Sequence, residues 1–181
     1  MLKKIGLASP NLSESQDIRA TIYTSVASRK DQPEEKQPSH NCDTITSWRI
    51  FDAIDAATVS RIVVWIRKEK ITKRDIGQLN QKIDMLEKNG PDLPPKLLAG
   101  PIKSKRNKKL VSHIYKLIIH GDRMLRPLLC KGPVNMDTEY TMLLGAIEVG
   151  GVLDTDSEDA EIIRSQIAAD DRLRKPHERY A

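Results

Sequence analysis

The chain has 181 residues, 39% hydrophobic and 30% charged, with a mean hydropathy of −0.48 and a formal net charge of +5. These values fit one domain with polar ends, and no apolar run approaches the ~20 residues that a membrane-spanning helix needs. Aromatic residues make up 4%, with Phe51 the single phenylalanine, so an aliphatic core of Ile, Leu and Val is expected.

The opening MLKKIGLASP has too short an apolar stretch for a secretory signal, and Leu2 stands where a myristoyl anchor needs glycine. Lys3 and Lys4, beside Leu2, Ile5 and Leu7, give a weak hint of a membrane-surface arm. Residues 1–42 read as a flexible polar arm, since Arg29–His40 has almost nothing to bury. Ile18–Tyr23 reads as a brief helix or strand. Two cysteines, Cys42 and Cys130, have no local pairing pattern, which points to free thiols in a reducing compartment.

An ordered core domain is expected over 43–155, opening with the apolar contacts Ile45, Trp48, Ile50, Phe51 and Ile54. Thr58–Ile71 is rich in β-branched residues, and a strand with Ile62, Val64 and Ile66 on one face is the preferred reading; a helix is the competing one. Thr72 and Asp75 resemble a capping box, and Ile76, Leu79, Ile83 and Leu86 then build one apolar helical face, stopped at Asn89-Gly90-Pro91. A proline-rich link leads to the basic run Lys103–Lys109. Leu110–Ile119 suits either a strand or a helix. Thr141–Leu153 carries three internal glycines, which favours strands meeting at a bend. Over 156–181 an acidic-start helix is expected, capped by Asp156 or Ser157, with Ile162, Ile163 and Ile167 as its apolar stripe. Arg172, Arg174 and Lys175 would lie at its end, where cations complement the helix dipole.

Charge is distributed unevenly. Residues 96–131 hold ten Lys/Arg against Asp122 alone, a net +9, whereas residues 137–181 carry a net −6. The basic stretch seeks a polyanion, nucleic acid or anionic lipid, and the acidic end seeks basic partners, including a second copy of the chain. Candidate nucleic-acid or anionic-lipid contacts are Lys103, Lys105, Arg106, Lys108, Lys109, Lys116, Arg123 and Arg126. Such contacts give affinity without base readout, and Tyr115 is the one nearby ring for stacking. The same run would serve as a nuclear import signal; a solvated loop without a partner is the plain alternative. Asp154, Asp156, Glu158, Asp159 and Glu161 are the candidate self-association residues.

Catalytic signatures are weak. His40 and Cys42 form the one close pair of metal-ligand type, short of the four ligands of a structural zinc site, so no metal or cofactor is expected. Cys130 with His113 or His120 would make a thiol dyad, but no flanking sequence activates it. Gly145, Gly150 and Gly151 match no phosphate loop. Asp154 and Asp156 suit helix capping better than acid–base work. A non-enzymatic role is expected.

Taken in order, several segments resemble the matrix proteins of rhabdoviruses, including the plant-infecting branch. These are the lysine-bearing start Met1–Leu7, an apolar strand running into a helix (Ile62–Lys70, then Thr72–Lys88), Ile114–Gly121, and the Glu-Tyr strand Glu139–Gly145. The budding motif PPxY is absent; Leu93–Leu97 is its nearest text. The resemblance implies an α+β fold, a small sheet with packed helices, in a viral structural protein that self-associates, condenses the ribonucleoprotein and links it to the envelope. Its implied partners are a second copy of itself, viral nucleocapsid or RNA, an anionic membrane surface bound peripherally, and viral glycoprotein or phosphoprotein. Its implied places are the virion, the host cytoplasm, the inner membrane surface and the nucleus. An accessory or regulatory protein that binds host or polymerase proteins is the alternative of a different class, and a small Cys130 hydrolase is a third.

Overall fold

A computed structural model describes residues 47–181; the arm at 1–42, with Lys3, Lys4 and Cys42, lies outside them. The elements run β1 (Arg49–Ala53), α1 (Arg61–Glu69), α2 (Lys73–Asn89), β2 (Leu98–Ala99), β3 (Ile102–Lys103), β4 (Leu110–Val111), β5 (Ile114–Leu117), β6 (Ile119–His120), β7 (Met124–Leu125), β8 (Leu128–Lys131), β9 (Glu139–Leu144), β10 (Glu148–Val149), β11 (Val152–Leu153), α3 (Ser157–Ala169) and β12 (Arg174–Pro176). Six strands form one mixed sheet in the order β12-β1-β9-β8-β5-β2, while β3–β4, β6–β7 and β10–β11 pair as separate ribbons. Among the described residues only β1 and β9 pair in parallel, with Ile50 opposite Tyr140 and Asp52 opposite Met142. The fold is α+β.

Alternation along the strands divides the core into two layers. Ile50, Tyr115, Leu117, Leu129, Tyr140 and Met142 face α1 and α2. Ala53, Ile114, Leu128, Cys130 and Leu143 face the other way, onto Ala160, Ile163 and Ile167 of α3. Each fully buried Leu or Ile contributes about 1.5–3 kcal/mol, and an aliphatic set of this kind supplies most of both layers.

The Thr58–Ile71 segment is a helix, not the strand preferred from its β-branched composition, and the strand assigned to Ile62–Lys70 by the family resemblance falls with it. Ser60 caps α1 by accepting from the Val63 amide, and Lys70 ends it in the left-handed conformation. The buried residues are Ile62, Trp65 and Ile66, spaced three and one apart as on one helical face, whereas Val64 is 42% exposed. Packing against the sheet outweighs the weak intrinsic preference of Val and Ile for strands.

Elsewhere the observed elements follow the sequence more closely. Thr72 caps α2 through the Asp75 amide, and Ile76, Leu79, Ile83 and Leu86 are buried. The Asp75 carboxylate accepts from the Asp122 amide at 3.3 Å, so it pins the β6–β7 turn. Leu110–Ile119 holds β4, a turn at Ser112-His113, β5 and the start of β6, and the Thr141–Leu153 region is β9, a break at Gly145, and a hairpin turning at Gly150-Gly151. The acidic-start helix expected over 156–181 is present, capped by Asp156, but it fills only the first part of that range. α3 ends at Ala169, Ile162 points outward at 54% exposure, and Arg174 and Lys175 enter edge strand β12 beside β1. Tyr180 is buried; its hydroxyl donates to Asp52 at 2.8 Å, and Asn80 holds its backbone on both sides.

Two glycine-to-alanine changes have opposite signs here. A Cβ at Gly145 would sit 1.8 Å from the Trp65 ring, whereas one at Gly77 on α2 meets nothing within 4 Å. Gly145→Ala is expected to lower the urea unfolding free energy by about 1–3 kcal/mol. Gly77→Ala is expected to raise it by about 0.8–1 kcal/mol. Shifts in the same direction would contradict this packing.

Candidate functional site

The basic run forms the connection of the β3–β4 hairpin, and Ser104 organises it. Its side-chain oxygen accepts from the Arg106 and Asn107 amides at 3.1 and 3.4 Å, while its backbone closes the loop through the Lys108 and Lys109 peptides. Lys108 sits at φ +62°, the left-handed region that completes the turn.

This turn docks on the start of α3. The Asp156 carboxylate caps the helix by accepting from the Glu158 amide at 3.0 Å, and it also accepts from the Arg106 amide at 3.1 Å. The Arg106 guanidinium reaches Asp159 at 2.8 Å, Asp156 at 3.6 Å and Glu158 at 3.8 Å; Asn107 bonds Glu158. Burial works to raise the Asp156 pKa, but the two amides, the Ser104 hydroxyl and Arg106 outweigh it and hold the carboxyl below its usual range.

The predicted acidic surface is therefore engaged within the chain. Asp156, Glu158 and Asp159 meet Arg106, Asp154 accepts from the Ile147 amide at 2.8 Å, and Glu161 pairs with Arg164 at 2.7 Å. Several predicted cations are likewise occupied. Arg126 is 3% exposed, donates to the Ile119 and Leu125 carbonyls, and shares Glu148 with Lys116. Burial tends to raise the Glu148 pKa, and those two cations bring it below its ordinary value. Arg123 bonds the end of α1 through Glu69. Arg126 is thus a buried structural tie, whereas Arg106 stays exposed at the surface while it pairs with three carboxylates.

Four predicted cations remain outward. Lys103, Lys105, Lys108 and Lys109 are exposed and make no ion pair among the described residues. Beside them the β10–β11 tip presents Val149 at 73% and Val152 at 53% exposure. A cleft of about 230 Å³ lies where this hairpin, the basic turn and the start of α3 meet. Sequence reasoning missed Ser104, Glu148 and the valine tip. A serine opening a basic run was the available signal for the first; nothing local marked the others.

The Cys130 thiol lies in the α3-facing layer, where burial pushes its pKa up to about 12 and keeps it protonated at neutral pH. Its hydrogen bond runs to the Gly132 carbonyl at 3.7 Å, whereas His113 and His120 are exposed. Among the described residues no cluster of three or more His, Cys, Asp or Glu is placed to hold a metal, and no helix is long and apolar enough to cross a membrane. No protein family, curated protein or solved structure matches the chain.

The clasp predicts a pH dependence. A carboxyl depressed in the folded state contributes stability above its unfolded value, 3.8 for Asp156, and loses it as the pH falls through the folded value. Asp156→Asn keeps a capping side chain and removes the charge. Its unfolding free energy should fall less steeply than the wild type's from about pH 5 to about pH 2. Superimposable profiles would rule out a charge-dependent role for this contact.

Proposed function

We propose that the chain is a non-enzymatic structural protein of matrix type, as the resemblance to rhabdovirus matrix proteins implies, and that it binds phosphate-bearing polyanions through the Lys103–Lys109 turn. The observation that carries this reading is the sorting of the cations. Arg106 fixes the turn to α3, and four lysines on that turn stay outward without a carboxylate partner among the described residues. A turn whose backbone is already pinned loses little main-chain freedom on meeting a row of phosphates, and each neutralised phosphate releases counterions. The acids of Asp154–Glu161 are engaged within the chain and offer a second copy little free charge. Copies gathered along one ribonucleoprotein instead meet at high local concentration.

The envelope link rests on the neighbouring hairpin. Val149 and Val152 stand exposed beside a lysine-lined cleft, and an apolar tip among cations suits peripheral seating in an anionic bilayer.

Co-sedimentation with RNA and with anionic liposomes tests both parts. Changing Lys103, Lys105, Lys108 and Lys109 to Glu, with Arg106 retained, should abolish binding to both without unfolding the protein. For single-stranded RNA, four such contacts give a slope of log affinity against log salt of about −3. Undiminished binding by the charge-reversed protein sinks the proposal.

Val149→Ser with Val152→Ser should weaken liposome binding by about tenfold and leave RNA binding as it was. Equal losses on both partners would remove the hairpin from the membrane role.

A further inference from the structure

The cleft beside the basic turn has a lining that a merely solvated loop does not require. Lys103, Lys105, Lys108 and Lys116 border it together with Ser157, the first residue of α3, and no carboxylate lines it. The acids beside the lining residues are already engaged: Asp154 with the Ile147 amide, Asp156 with the Arg106 and Glu158 amides, Glu158 with Arg106, and Glu148 with Lys116 and Arg126. Ser157 is 1% exposed, and its hydroxyl oxygen is buried without a hydrogen-bond partner. Buried hydroxyls nearly always have one, because leaving such a group unmade costs about 1–3 kcal/mol.

Every charged group of the lining is an ammonium, which donates and cannot accept. The orphan hydroxyl can donate as well. Such a set is complemented by a compact anion with several acceptor oxygens. About 230 Å³ accommodates one phosphate group with a small residue attached, and it excludes a double helix.

We infer that this cleft binds a phosphate monoester, whose terminal oxygens accept from the Ser157 hydroxyl and from the surrounding lysines. A monoester carries more charge and one more terminal oxygen than a backbone diester, and so matches this lining better. The inference rests on the reading of this face as phosphate-binding and deepens it: the lysines hold any phosphate, and the cleft that three of them border takes a terminal one.

Isothermal titration calorimetry of the full chain with inorganic phosphate, adenosine monophosphate, glycerol phosphate and adenosine tests the site. The three phosphates should bind and adenosine should not; tighter binding of either ester than of inorganic phosphate names the carrier. Ser157→Ala should lower monoester affinity about tenfold, the loss of one hydrogen bond to a charged group, with RNA and liposome co-sedimentation unchanged. Wild-type affinity in this variant overturns the inference. A wild-type chain that sediments with RNA or liposomes but binds no monoester also overturns it, while the lysine face stands. Loss of all these bindings overturns both readings. If Ser157→Ala impairs folding, Lys108→Gly takes its place, since glycine suits the φ of +62° and removes one cation. Its monoester affinity should fall several-fold, and an unchanged value counts against the site.

Discussion

Strand β9 is covered on both sides, and this two-sided burial is the constraint from which the arrangement of the chain follows. Five of its six residues are buried, with Tyr140 and Met142 under α1 and α2 and Leu143 under α3. A strand so placed cannot leave polar groups unmet, because an unpaired buried charge costs several kcal/mol. Glu139, 2% exposed, accordingly lies between Arg49 and Arg174, and Arg174 also stacks 4.0 Å from the Phe51 ring centre. Thr141 donates to the Gly132 carbonyl at 2.5 Å. On β1, Asp52 is met by Tyr180 and His177. These contacts bring the last strand and the residues after it into the same core as the first.

Covering the second face with α3 decides where its acidic first turn lies. The helix must set Ala160, Ile163 and Ile167 on the sheet, so its N-terminus comes to the β3–β4 hairpin. Arg106 then faces three carboxylates with a capped helix end behind them. One contact therefore satisfies the helix terminus, orders a lysine-rich turn and engages three carboxylates of the acidic segment. The turn would be costly to hold in one conformation on its own, given the freedom of five long basic side chains. Anchoring by Arg106 fixes the backbone from which the remaining lysines project.

The outward features share one corner: four lysines, an apolar hairpin tip and a cleft with an unpartnered hydroxyl. Their common chemistry is hydrogen-bond donation beside a small apolar surface. The reactive group most visible in the sequence, Cys130, is by contrast inside the α3-facing layer as a packing residue.

What the sequence determined by itself was local. The α2 face, with its Thr72 cap, recurs at helical spacing, and so does the α3 start at Asp156; both depend on neighbours within a turn or two. The glycine breaks between β9 and β11 were legible for the same reason. The aliphatic core followed from composition. Tertiary structure decided the rest. Thr58–Ile71 became a helix because the sheet face needed Ile62, Trp65 and Ile66 together, a demand made by residues far along the chain. Arg106 and the acids near position 156 are separated by about fifty residues, so linear charge counting saw two fields where folding makes one contact. Coulomb attraction acts across space, not sequence, and only the packing of α3 on the sheet fixed which charges would cancel and which would face outward.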